Sequence, residues 1–219
     1  RLNPGVLDAS TFANAAVATR SANADRQSVF VPASSLVAGT NTLAVETHLN
    51  YRSSSSMTIN GTVKVVAKGN EPDPEPHPAP QPEPLPAPDM SLVPDPNKPL
   101  EALDVSGMNH GNFLYPGLYW SYWNSQESPD AAWNSTADLS GWKHGASPLG
   151  WGDADAGTPF NLAPADRPIT TYFVRDVNFG TISADFELVL NVRVDDGAII
   201  YINGTEIQRV NMPEGHVDG

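Results

Sequence analysis

The chain has 219 residues, 40% of them hydrophobic, no cysteine, and a formal net charge of −13. A chain this long supports one ordinary core or two small ones, its negative field disfavours nucleic acid and anionic membrane surfaces, and the absence of thiols excludes a disulfide framework or a thiolate metal site. No apolar run approaches a membrane span, and Arg1-Leu2-Asn3-Pro4 lacks the features of a signal peptide, so any targeting segment has been removed or lies outside this piece.

In chain order, the first block covers residues 1–68. It opens on the turn-like Asn3-Pro4-Gly5, and its Ala-rich stretch from Thr11 to Val17 reads as a short helical or irregular piece with poor caps. Three strands follow, at Ser28–Val31, Thr42–Leu49 and Met57–Val66, where Ile59, Val63 and Val65 alternate by twos. Gly39-Thr40-Asn41 punctuates the first two. Three or four strands without a lid cannot bury both faces, so this block needs a partner.

From about Gly69 to Leu100 the chain is Pro-rich and acidic, as in Glu71-Pro72-Asp73-Pro74-Glu75-Pro76-His77-Pro78. Each proline fixes φ, removes a donor and biases its predecessor to extended conformations, which predicts a stiff polyproline II rod. At roughly 3.1 Å per residue it reaches on the order of 100 Å if straight. It serves either as a spacer or as a strap on another surface.

The second block, residues 101–219, carries all five tryptophans: Trp120, Trp123, Trp133, Trp142 and Trp151. Its clearest strands are Ile169–Val174, Phe186–Val194, Ala198–Ile202 and Glu206–Val210. Asn203-Gly204 joins the last two, because a type I′ hairpin turn needs positive φ at both central residues. Asp195-Asp196-Gly197 makes the turn before them.

The runs Thr170-Thr171-Tyr172-Phe173-Val174-Arg175, Val194 through Glu206 and Arg209-Val210-Asn211-Met212-Pro213 resemble the galactose-binding-like jelly-roll module of secreted bacterial surface proteins and hydrolases. Trp133, Gly141-Trp142 and Ser147-Pro148-Leu149-Gly150 match the entry of that module. The features of its exit occur here at Phe12–Val17, Phe30, Gly39–Glu46 and Ser53–Ser56, before the Pro-rich segment rather than after Met212. The resemblance therefore covers nearly all of the chain outside residues 69–100, with its halves in permuted order. Met57 stands where the module often has an acidic residue, which weakens a ligand or metal role there. What the resemblance implies is an all-β jelly-roll β-sandwich of two half-domains, residues 1–68 being the C-terminal half and 101–219 the N-terminal half, joined by the Pro-rich extended linker. Its setting would be extracellular or at a bacterial cell surface.

No catalytic constellation stands out. The five histidines are scattered, and there is no His-Glu-x-x-His spacing, Gly-x-Ser-x-Gly elbow or phosphate loop; the chain reads as non-catalytic and without a cofactor, calcium excepted. Asp195, Asp196, Asp153 and Asp155 supply oxygen ligands in Gly-containing loops of the kind calcium uses, although Asp-Gly turns between strands are ordinary and no EF-hand pattern is complete. Tyr119, Trp120, Tyr122 and Trp123 offer flat rings for stacking on sugars, with Tyr119, Ser121 and Trp123 on one side of a strand and Trp120 and Tyr122 on the other. Of the sequons Asn60-Gly61-Thr62, Asn134-Ser135-Thr136 and Asn203-Gly204-Thr205, the first and third read as Asn-Gly turns. The functional expectation is a repeating subunit of an extracellular bacterial fibre or stalk, in which copies join head-to-tail by strand complementation. The alternative is a carbohydrate-binding or adhesive module.

Overall fold

The computed structural model describes residues 7–17, 27–67, 94–95, 98–106, 111–114, 117–135, 138–182 and 186–215. The expected polyproline II rod lies mostly outside the described residues. The strands are β1 (Gln27–Pro32), β2 (Thr40–His48), β3 (Met57–Ala67), β4 (Leu103–Asp104), β5 (Gly111–Leu114), β6 (Tyr119–Trp123), β7 (Lys143–Ala146), β8 (Leu149–Trp151), β9 (Thr158–Pro159), β10 (Thr170–Asn178), β11 (Phe186–Arg193), β12 (Gly197–Ile202) and β13 (Thr205–Val210). They form two sheets. The six-stranded sheet runs β1-β11-β3-β8-β9 with β5 also on β3, and the seven-stranded sheet runs β13-β12-β2-β10-β6-β7 with β4 on β10. All pairings are antiparallel except β10 with β4 and β8 with β9. The fold is the all-β sandwich expected from the period-two patterning.

Alternation decides what faces what. Leu43 and Val45 on β2, Phe173 and Val177 on β10, and Leu188 and Leu190 on β11 point between the sheets into the main core. Each such fully buried side chain contributes about 1.5–3 kcal/mol relative to exposure. The opposite face of the seven-stranded sheet is also covered. Ala44, Tyr172, Val174 and Ile199 build a second apolar cluster there with Trp133, Trp142 and Met212, closed by Leu7 and Ala13 from the start of the chain. The Trp133 ring meets Tyr172 and Tyr201 edge-on, with centroids 4.8 and 5.5 Å away.

Of the two forms expected for Thr11–Val17, the irregular one is found, because its backbone groups are taken by other parts of the sandwich. One local expectation changes. Asn60-Gly61 is not a turn but lies inside β3, where Gly61 approaches the Asn191 carbonyl of β11 so closely that a β-carbon would sit 3.3 Å from it; cross-strand pairing overrides the local turn preference. The Asn203-Gly204 turn forms as expected, with φ of 50° and 80°. Among the described residues no helix is long and apolar enough to cross a membrane.

Candidate assembly interface

Among the described residues, β1, β2 and β3 do not pair with one another; every ladder they make is with a strand of the second block. β2 lies between β10, in register from Thr170↔His48 to Asn178↔Thr40, and β12, from Gly197↔His48 to Ile202↔Leu43. β3 runs along β11 from Phe186↔Ala67 to Arg193↔Asn60 and takes β8 and β5 on its other edge. β1 pairs with the free side of β11. The seam between the two blocks is therefore the body of the sandwich, and β11 has neighbours only from the first block.

Residues 7–17 strap the outer face of the seven-stranded sheet, held mostly by polar groups. Ala13 N–H donates to Leu49 O at 2.9 Å and Asn14 N–H to Asn211 O at 2.8 Å. Thr170 Oγ1 donates to Ala9 O, and Asn211 Nδ2 donates to Ala15 O. Asp196, 2% exposed, accepts Val17 N–H on Oδ1 at 2.6 Å and Asn50 N–H on Oδ2 at 2.9 Å. One carboxylate thus ties the strap, the loop after β2 and the turn before β12. Asn211 and Met212 lie beside residues 13–15, so both described chain ends meet on this face.

Beneath the strap lies a buried polar group that strand alternation alone would place in solvent. Glu46 and His48 share the outer face of β2, at 5% and 1% exposure. Tyr201 Oη donates to Glu46 Oε1 at 2.7 Å. His48 Nδ1 lies 2.8 Å from Thr11 O, and a carbonyl only accepts, so Nδ1 carries a proton and Nε2 faces Glu46 Oε1 at 3.6 Å. Burial, and then the Glu46 carboxylate, push the phenols of Tyr172 and Tyr201 upward.

A second latch covers the outer face of the six-stranded sheet. Arg193 on β11 is 1% exposed and pairs through Nη2 with Asp153 and through Nη1 with Asp155 at 3.1 Å. Thr58 on β3 donates to the same Asp153 carboxylate. The loop carrying both aspartates is set close by Gly152, whose φ of +88° and contact with Ser55 O and Ser56 leave no room for a side chain. Asp153 and Asp155 both pair with Arg193. Asp196 is a backbone clamp, and Asp195 is fully buried beside it. Among the described residues no three metal-ligating side chains come together.

The aromatic residues of β6 divide between the two sides of the strand. Trp120 and Tyr122, each 8% exposed, belong to the main core, and Tyr122 stacks on Phe160 with centroids 4.6 Å apart. Trp123 sits 6.0 Å from Trp142 at the second cluster and gives its Nε1–H to Glu127 O. Tyr119 is half-buried. Trp120 and Tyr122 thus lie on the core side of the strand, and Tyr119 and Trp123 on the other side are half-buried. Glu46, His48, Arg175 and Arg193 carry no signature in the sequence; the polar positions of β2 look solvent-facing until the strap is in place. No protein-family profile, no curated protein and no solved structure matches the chain.

Proposed function

We propose that this chain is a non-catalytic structural subunit of an extracellular bacterial fibre or stalk, in which residues 1–68 of one copy complete the sandwich of residues 101–219 of the next. The observation that supports this reading is the complete interleaving of the seam: β1, β2 and β3 find all their ladder partners in the other block. A closed single chain and an exchanged head-to-tail array make the same ladders and bury the same cores. Their balance rests on the segment joining the blocks and on concentration. The Pro-rich composition of residues 69–100 is that of an extended connector, which would favour capture of a neighbour's first block over folding back. The contact is heterologous, so it propagates without closing unless the geometry happens to form a ring.

Refolding the full chain from denaturant at rising concentration, followed by light scattering and negative-stain microscopy, tests this. A ladder of head-to-tail species that lengthens with concentration is the expected result. A strict monomer at every concentration, including after concentrated refolding, would overturn it.

A further inference from the structure

The seven-stranded sheet is interrupted along one edge of β10. β6 pairs with Tyr172, Phe173 and Val174, and β4 pairs with Val177 and Asn178, so among the described residues the ladder on that side skips Arg175 and Asp176. The alternation that sends Phe173 and Val177 into the main core sends Arg175 the same way. Arg175 is 8% exposed, and its buried Nε has no hydrogen-bond partner. No described carboxylate lies within ion-pair distance of its guanidinium. Asp176, whose field reaches it along the strand, projects from the other face and accepts Thr42 Oγ1 at 2.7 Å.

This arginine differs from the other buried or half-buried ones. Arg193 holds two aspartates, Arg209 holds Glu206 in a fork, and Arg167 donates to Ser54 O while its guanidinium lies 5.2 Å from the Trp151 ring. Acidic residues outnumber Lys and Arg by 25 to 12, yet among the described residues this nearly buried cation has no carboxylate within ion-pair distance. A guanidinium that is mostly buried, with its Nε enclosed and unpartnered, gains more from an anion than an exposed one does, and its planar fork matches a carboxylate with two parallel hydrogen bonds. The skipped β10 edge adds backbone groups at the same place.

We propose that Arg175 anchors a binding site for a ligand carboxylate, entered at the notch between β4 and β6. A free organic acid and the acid group of a sugar present the same chemistry to it.

The test is a titration of the intact protein with acetate, exchanged against chloride at constant ionic strength and pH 7, with glucuronate and uncharged glucose as parallel arms. Acetate is expected to shift the Arg175 Nε–Hε resonance saturably and raise the thermal midpoint. Arg175→Met should lose the midpoint response, and Arg175→Lys should bind about tenfold more weakly, since an ammonium offers no planar fork. A stronger response to glucuronate than to acetate, with none to glucose, would identify a sugar acid as the source. Acetate acting alone would identify a small organic acid. An unmoved Nε resonance at about 100 mM acetate, or an equal midpoint response in wild type and Arg175→Met, would overturn the proposal. The resonance is read in wild type, so the test stands even if the methionine variant fails to fold.

Discussion

Replacing Asp196 by alanine removes the acceptor for two backbone N–H groups at once, those of Val17 and Asn50 at 2.6 and 2.9 Å. Hydrogen bonds to an ionised group are worth about 1.5–3 kcal/mol each. Both donors are part-buried, so water recovers some of the loss. The expected destabilisation is about 3 kcal/mol. With a urea m-value of about 2–3 kcal/mol/M, that lowers the unfolding midpoint by about 1 M. Asp196→Asn keeps one oxygen but turns the other position into a donor facing an N–H, so it should lose about 2 kcal/mol. Urea titrations followed by tryptophan fluorescence and by far-UV circular dichroism measure both variants, and coincidence of the two probes establishes that a single ΔG applies. An alanine variant within about 0.5 kcal/mol of wild type would refute the clamp. So would a calcium-dependent rise in midpoint seen in wild type and lost in Asp196→Ala, because the carboxylate would then be an ion ligand.

The other predictions concern the remaining buried ionisable groups. Asp153→Ala leaves the buried Arg193 guanidinium only the exposed Asp155 carboxylate and should cost about 3 kcal/mol, whereas Arg193→Met combined with Asp153→Ala should recover much of that loss; additive losses in a double-mutant cycle would contradict the latch. Burial holds Tyr122, Tyr172 and Tyr201 neutral in the fold, the last two with help from the Glu46 charge. Their folded pKa values are raised, so the free energy of keeping them neutral favours the sandwich less and less as pH climbs past the ordinary tyrosine value of about 10. In an alkaline titration these three of six tyrosines should therefore ionise together with unfolding rather than before it. Phenolate absorbance that saturates while tertiary circular dichroism is intact would contradict this.

The strands were legible where one physical signal dominated. Val63 and Val65, Phe186 through Val194, and the Asn203-Gly204 turn combine period-two alternation with turn chemistry, and all appear as expected within one or two residues. Asn60-Gly61 misled because a glycine that suits a tight turn also suits a core-facing strand position pressed against a neighbour's carbonyl. The site was less legible for a related reason. Alternation tells which residues share a face, not whether a distant segment covers that face. Glu46 and His48 become interior only because Thr11 and Ala13 return across the sheet, and Trp120 is buried while Trp123 is half-buried because β6 has apolar clusters on each side. The need of the first block for a partner was readable from its strand count, whereas the pairing of each of its strands with only the other block required the ladders themselves.

The interleaved seam also constrains how the chain acquires its fold. During synthesis β1, β2 and β3 leave the ribosome before any of their ladder partners exists. β2 waits for β10, which starts at Thr170, and β1 and β3 both depend on β11 beyond it. β3 can meet β5 and β8 earlier, but β1 and β2 find no native ladder until Thr170 and the strands after it are present, so the body of the sandwich closes late and through long-range contacts. Until those late strands arrive, the β-forming segments of the first block are exposed to pairing with other chains.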